Sequence, residues 1–449
     1  MKTHGILRSV CSAAVLVPAL VAGTAFGGVT AGAAAGTATD TAAETVASDG
    51  DFFALPDPAI LADLSPGTPL KQRQIPLHVN AFPTPLTVTQ VQYRSTDTLG
   101  HPTAAVTSVL QPPPGITPTG NTVMYGSVYD SMRPEDGPSR VLSGTVTEGG
   151  AMVTTEMAYV APLLAAGHTV VMPDIQGERE IFAAGPEYGR IILDGLRAAR
   201  RTPAAAVADG SPTAFLGYSG GSIGAGWASI LAADYAPDIA RDIVGVAQGG
   251  TMVRPEHNLF YAAEGAGWSG VVGMAIVGMT RAYGVDLDPY LTDYGREVTA
   301  ELDRVAIGDA SDRYDHLRWE ELVRPEYPEP ASIPEVKALL DDTNMGLRAT
   351  PAFPQLLVQA GGGEAEKTPP HPTLGDGDGV MLLGDTRALA TQYCADGTPV
   401  DYREQATGGH SQGSFAWFGA ALPWVNDRFA GVPASSTCAD VPAGNSLTD

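Results

Sequence analysis

An α/β fold with a mostly parallel central sheet is predicted for this chain, and three observations carry the prediction. Short apolar runs alternate with helical stretches of ten or more residues, the rhythm of βαβ units. One block of roughly a hundred residues breaks that rhythm without a convincing central strand, as an inserted helical block would. The composition allows a large core, with 44% of the 449 residues hydrophobic and 17% charged. Gly (53) and Pro (36) are abundant but follow no Gly-X-Y period, so a loop-rich globular chain fits better than a fibrous one.

The elements justify themselves in order. Residues 1–35 carry Lys2, His4 and Arg8, then an apolar run from Val10 to about Ala25, then Ala-x-Ala patterns at 31–33 and 33–35. That is the three-part shape of a secretory signal peptide, predicting a secreted, extracellular protein. The run is rich in Gly and Ala and no basic cluster follows, so no stable membrane anchor is expected. Cys11 stands at the very start of the apolar run, away from any cleavage site. Losing Lys2 and Arg8 with the leader moves the formal charge from −24 to −26. Such an acidic excess argues against nucleic-acid binding and against a polybasic membrane contact.

Residues 36–51 are rich in Ala, Thr and Asp and read as a flexible linker. The first part of the core, 52–251, contains candidate strands at 87–95, 104–110, 122–125, 169–172, 214–217 and 243–247. Candidate helices lie at 151–166, 188–200 and 220–234. The polar turn Asp97-Thr-Leu-Gly100 predicts an antiparallel start. Residues 252–350 form the helical insertion, a cap or lid. Its apolar piece 271–279 is too short to span a bilayer. The second part of the core, 351–438, adds strands at 355–359 and 400–404 and helices at 386–395 and 412–429. A tail, 439–449, follows. Leader removal leaves two cysteines, Cys394 and Cys438, and an oxidising compartment predicts one disulfide between them, clamping the tail.

A nucleophilic serine on a strand-to-helix turn leaves the pattern Gly-x-Ser-x-Gly. With 53 Gly and 22 Ser about 0.3 matches arise by chance, yet there are three, centred on Ser219, Ser222 and Ser411. Context separates them. Ser219 follows the run Ala214-Phe-Leu-Gly217 and opens a helix of small residues, whereas Ser222 lies inside that helix. Ser411 fails on order, because acid and histidine follow the serine in this class and no histidine follows His410. His410 itself sits in a loop after the last candidate strand, where a general base belongs. The acid belongs after 355–359: Asp376 and Asp378 are the candidates, with Glu364, Glu366 and Asp385 behind, and Asp378 is preferred because Val380-Met-Leu-Leu anchors it. Ser219 would attack an ester carbonyl, His410 carry the proton and Asp378 hold the imidazole tautomer. For the oxyanion, the backbone N–H of Gly220 is one donor. Asp130, by backbone N–H or protonated side chain, is the candidate for the other.

These residues resemble the secretory lipases of the lipase A type, a branch of the α/β-hydrolases. The resemblance covers nearly the whole chain after the leader. It runs through Asp51-Phe-Phe-Ala, Tyr93-Arg-Ser-Thr-Asp97, Val170-Val-Met-Pro-Asp174 with Gly177, Gly217-Tyr-Ser-Gly-Gly221 and Ser436-Thr-Cys438. It implies an α/β-hydrolase with a mostly parallel central sheet and an inserted helical cap/lid, hydrolysing acylglycerols or simpler esters. By that resemblance the family's serine, acid and histidine fall on Ser219, Asp378 and His410, and its oxyanion aspartate on Asp130. Two departures stand out: Arg133-Pro-Glu-Asp-Gly-Pro138 lacks the cysteine of many relatives, and 361–374 is inserted ahead of the acid.

The leading expectation is a triacylglycerol lipase acting on a lipid or ester substrate at an interface. It would need no cofactor, no metal and no obligate protein partner. Trp268, Val271, Val272, Met274, Ile276 and Met279 would either line an acyl pocket or only pack the cap. The alternatives are a short-chain carboxylesterase or acyltransferase, or a non-catalytic binding protein on a degenerate hydrolase scaffold.

Overall fold

The computed structural model describes residues 52–311 and 313–448. The expected leader (1–35), Cys11 and the linker (36–51) lie outside the described residues. Nine strands form one sheet: β1 Pro69–Val79, β2 Phe82–Thr96, β3 Pro102–Leu110, β4 Thr122–Gly126, β5 Thr169–Pro173, β6 Thr213–Tyr218, β7 Ile243–Gly249, β8 Gln355–Ala360 and β9 Val400–Gln405. Their order across the sheet is β1-β2-β3-β5-β4-β6-β7-β8-β9. β1, β2, β3 and β5 pair antiparallel, and every pair from β5 onward is parallel.

Residue chemistry explains this layout. Strands β4, β5 and β6 are buried along their whole length, and their near-continuous apolar runs suit a parallel sheet covered on both faces. β1 escapes the sequence reading. Its Pro-Leu-Lys-Gln-Arg-Gln-Ile-Pro pattern is polar and twice interrupted by proline. It survives as an edge strand because proline and charge are tolerated where one side bonds nothing. The sheet also lengthens the expected strand at 87–95 to fifteen residues, since β1 covers its outer end.

The major helices are α1 Ala151–Ala165, α2 Gly185–Arg200, α3 Gly220–Tyr235, α4 Pro255–Ala263, α5 Ser269–Tyr283, α6 Asp293–Leu302, α7 Pro334–Asp342, α8 Leu383–Ala395 and α9 His410–Phe429. The chain leaves β4 toward β5 and then crosses back over β4 to reach β6. Right-handed crossovers therefore put α1 on the opposite face from α2 and α3. On one face Gly189 of α2 abuts the backbone of Trp227 in α3. On the other, Tyr159 of α1 stacks on Phe418 of α9 and its hydroxyl meets Ser414 at 3.0 Å. The reversal leaves the ends of β4 and β6 as a topological switch point, where the following loops diverge and a crevice opens.

Helices α4 to α7 all fall between β7 and β8, and no strand of the sheet lies between those two among the described residues. They share one apolar core with the sheet: Met274, Val298 and Leu339 belong to the same buried cluster as Val123, Phe215 and Leu356. Cys394, at the end of α8, is disulfide-bonded to Cys438 across 44 residues of chain. The segment beyond it is packed, with the Asn445 N–H on the Gly384 carbonyl at 2.9 Å and the Leu447 carbonyl accepting from Asn344 at 2.9 Å. Among the described residues no helix is long and apolar enough to cross a membrane.

The disulfide closes a loop that includes β9 and all of α9. Removing it by the double change Cys394→Ala and Cys438→Ala is expected to lower unfolding free energy by about 2–4 kcal/mol. Urea unfolding of variant and wild type, with and without a reducing thiol, measures this. A wild type insensitive to the thiol and equal to the variant contradicts it.

Candidate active site

The switch point is built by glycine. Ser219 connects β6 to α3 with φ +52° and ψ −123°, a left-handed backbone that costs a non-glycine residue energy. Its N–H donates to the Gly249 carbonyl at 2.9 Å, so the strained residue is pinned to β7. A Cβ on Gly217 would come 2.1 Å from the Gly221 carbonyl oxygen, and one on Gly221 would come 2.1 Å from that of Gly126. Only bare backbone fits where the helix crosses the strand ends. Ser222 is buried one turn further into α3, its hydroxyl turned toward the Gly250 carbonyl at 3.5 Å. Ser411 lies at the start of α9 and is exposed.

His410 is the first residue of α9. Its Nε2 lies 2.7 Å from Ser219 Oγ and its Nδ1 lies 2.8 Å from Asp378 Oδ2. The His410 backbone N–H also donates to the Asp378 carbonyl at 2.7 Å, so one residue holds both main chain and ring. The ring sits between Tyr218 and Trp268, with centroids 5.1 and 5.0 Å away. Burial pulls the imidazole pKa down, but the charge and hydrogen bond of Asp378, helped by Glu366 and Asp130, outweigh it. The balance lies above the ordinary histidine value.

Asp378 is fully buried, and the surrounding loop spends its donors on it. Val380 and Met381 N–H groups donate to Oδ1 at 3.1 and 2.8 Å, and Gln359 Nε2 donates to Oδ2 at 2.8 Å. Of the other acids considered, Asp376 and Glu364 are exposed, and Asp385 is bonded to His257 at 2.9 Å. Glu366 instead reaches Ser411 and Trp268. Gln359 was not anticipated, though a buried glutamine near the C-terminal end of β8 was a readable sign.

Asp130, in the loop after β4, has φ +32° and is buried against Gly220. A Cβ on Gly220 would fall 1.9 Å from Asp130 Oδ1, and the Gly220 N–H hydrogen-bonds to that carboxyl. Burial raises the Asp130 pKa to about 7, against the pull of the His410 charge and the backbone N–H groups of Gly220 and its own residue. Glu156 of α1 secures the loop from beneath: it accepts from Tyr125 hydroxyl at 3.0 Å, Ser127 hydroxyl at 2.5 Å and Val128 N–H at 2.9 Å. Nothing local in the sequence marks Glu156, because its partners lie about thirty residues away.

Above Ser219 an apolar cleft encloses about 510 Å³ of space, part of it continuous with solvent. Phe182, Ile223, Trp268, Val271, Val272 and Met279 are among its walls. Met274 and Ile276 are not, contrary to the acyl-pocket reading of that pair. Residues 271, 272, 275 and 279 share one face of α5, with Trp268 just before it, whereas 274 and 276 turn into the surrounding packing.

The family model for secretory lipases matches residues 144–437. The chain belongs to the secretory lipase family. Its class is therefore carboxylic ester hydrolase, on an α/β-hydrolase fold. A protein of Mycobacterium tuberculosis (strain CDC 1551 / Oshkosh), bearing the name "Probable inactive lipase", is 30% identical over 86% of this chain and 83% of its own. Lipase 6 of Candida albicans is 26% identical over 87% and 83%. The crystal structure of Candida antarctica lipase A in its closed state superposes with a TM-score of 0.75 at 22% identity, covering 88% of this chain and 89% of that one. The rice cell wall degrading esterase of Xanthomonas oryzae reaches 0.59 at 15% identity, over 82% and 97%. At these identities the two structures attest the fold.

The buried Asp130 carboxyl makes stability depend on pH. Its folded pKa of about 7 exceeds the unfolded value, so folding requires proton uptake as pH rises between about 4 and 7. Wild type therefore carries a penalty that is absent at low pH and full above pH 7. Asp130→Asn lacks that penalty. Its stability relative to wild type is expected to improve with pH, by up to about 4 kcal/mol. Urea unfolding at pH 4.5 and pH 8 tests this, and a difference independent of pH refutes it.

Proposed function

We propose that this chain is a secreted lipase that cleaves carboxylic esters, acylglycerols foremost, through an acyl-enzyme formed on Ser219. The observation that carries the reading is the hydrogen-bonded chain from Ser219 through His410 to Asp378, with contacts of 2.7 and 2.8 Å, at the foot of an apolar cleft. The substrate acyl chain lies along the α5 face, and the helical insertion acts as the cap that keeps water from the reacting carbonyl. The leader-like segment 1–35 and the disulfide suit export.

In the first step Ser219 Oγ attacks the ester carbonyl carbon while His410 Nε2 takes the hydroxyl proton. The carbonyl oxygen becomes an oxyanion, which replaces the Asp130 carboxyl as the acceptor of the Gly220 N–H and accepts a second hydrogen bond from that carboxyl in its protonated form. The tetrahedral adduct collapses, the C–O bond to the alcohol breaks, and His410 returns the proton to the leaving alkoxide. Water then repeats the sequence on the acyl-serine and releases the acid. Asp378 holds the Nδ1–H tautomer and steadies the imidazolium in both halves. With a pKa of about 7 the Asp130 carboxyl is a donor below neutrality and increasingly a carboxylate above it, where it would repel the oxyanion.

Ser219→Ala is expected to lower p-nitrophenyl ester hydrolysis on the order of 10⁵-fold, and to abolish labelling by a fluorophosphonate. An ester series from acetate to palmitate, with triglyceride emulsions, separates a lipase from a short-chain esterase. The name of the mycobacterial relative favours a second reading, a scaffold without catalysis. Absence of hydrolysis and of Ser219 labelling in wild type selects it. Within the catalytic reading, Asp130→Ala should cost about 10²–10³ in kcat. Asp130→Asn, still a neutral donor, should retain most of the rate and extend it to higher pH. Equal rates for the two variants would remove Asp130 from the oxyanion site.

A further inference from the structure

We propose that Glu366 is a positioning residue for His410, joining the helix that carries the histidine to the tryptophan that covers it. The inference rests on the catalytic reading of His410 given above. Glu366 lies in the segment 361–374 inserted ahead of Asp378, at the end of a 3₁₀ turn, Gly363–Glu366. Each of its carboxylate oxygens has one strong donor. Oε1 accepts from the Ser411 N–H at 2.6 Å, and Oε2 accepts from the Trp268 Nε1–H at 2.8 Å.

Both partners touch His410. Ser411 is its chain neighbour in the first turn of α9, where backbone N–H groups lack partners within the helix and a negative charge is favoured. Trp268, immediately before α5, meets the imidazole edge to face at 5.0 Å. A second observation shows that space is kept for this carboxylate. A Cβ on Gly409, the residue before the histidine, would lie 2.3 Å from Glu366 Cγ. Gly379, beside Asp378, has φ +124°, and a Cβ there would crowd both Trp268 Nε1 and Glu366 Cβ. Substituting either glycine would displace the bridge.

The consequence is coupling between cleft and base. Trp268 is a wall of the apolar cleft and leads into α5, so substrate seated there loads the same carboxylate that holds the start of α9. The acidic groups acting on His410 are Asp378 from the loop after β8, Glu366 from the inserted segment and Asp130 from the loop after β4. Tyr218, Trp268 and Ser219 complete its surroundings as neutral groups. Glu366 ties Trp268, immediately before α5, to the helix that begins at His410.

The experiment compares wild type, Glu366→Gln and Trp268→Phe. It records pH profiles of kcat and kcat/KM on a p-nitrophenyl ester, the fluorophosphonate labelling rate at Ser219, and thermal unfolding. Gln keeps an acceptor for Ser411 but loses the charge and one acceptor oxygen. Its kcat is expected to fall about tenfold with KM little changed, as a small misplacement of the base would cause. Its acid limb should move to lower pH by about half a pH unit, because a negative neighbour that favours the imidazolium is gone. Trp268→Phe should reduce kcat with the acid limb in place, since the charge remains. Wild-type kcat and an unmoved limb in Glu366→Gln overturn the proposal. So does a fall in kcat with an unmoved limb and an unaffected Trp268→Phe, which would leave Glu366 a structural role only. If Glu366→Gln does not fold, a Trp268→Phe variant with wild-type kcat overturns it. A wild type that neither hydrolyses the ester nor labels at Ser219 refutes the parent reading instead.

Discussion

The candidate site depends on one contact between main chains. Helix α3 crosses the ends of β4 and β6 so closely that Gly126, Gly217 and Gly221 meet backbone to backbone, with no room for a Cβ at any of them. That approach bends the chain at Ser219 into a left-handed conformation and lifts its side chain out of the sheet. It also brings the loop after β4 against the first turn of α3, which is why Asp130 rests on Gly220. Widening the crossing by the width of one methyl group would part the hydroxyl, the N–H of Gly220 and the Asp130 carboxyl together.

Around that crossing, burial divides two carboxyl groups between two tasks. Asp378 accepts hydrogen bonds from Gln359, Val380, Met381 and His410, and serves as the acceptor that orients the imidazole. Asp130 has few donors. Its side-chain contact with Gln176 is long, at 3.4 Å, and burial pushes its pKa to about 7. The same residue type therefore meets two environments, one rich in hydrogen-bond donors and one poor in them. Glu156, also buried and raised to about 7, extends this pattern beneath the loop that presents Asp130.

Much of the architecture was legible because its signals are local. Eight of the nine strands and the helices flanking Ser219 and His410 follow from apolar runs, turn residues and chain order. β1 was not legible, since an edge strand makes its bonds on one side and carries no apolar run to betray it. The cleft wall was half legible. An apolar stretch at 268–279 announces a helix in contact with something, but only its rotation decides that Ala275 faces the cleft while Met274 and Ile276 do not.

By itself the sequence determined the class of fold, the chain order Ser219, Asp378, His410, and the pairing of Cys394 with Cys438. These depend on residue type and chain order, which three-dimensional packing does not alter. Tertiary structure decided which acid reaches the imidazole. Asp376 and Asp378 are two residues apart in a loop of glycines, and only the bonds to Gln359, Val380 and Met381 turn one inward and leave the other in solvent. It likewise decided the burial of Asp130 against Gly220 and the bridge from Glu366 to Ser411 and Trp268. Hydrogen bonds and burial act across distances of a few ångströms, whether the chain separates the partners by two positions, as with Val380 and Asp378, or by 191, as with Ser219 and His410.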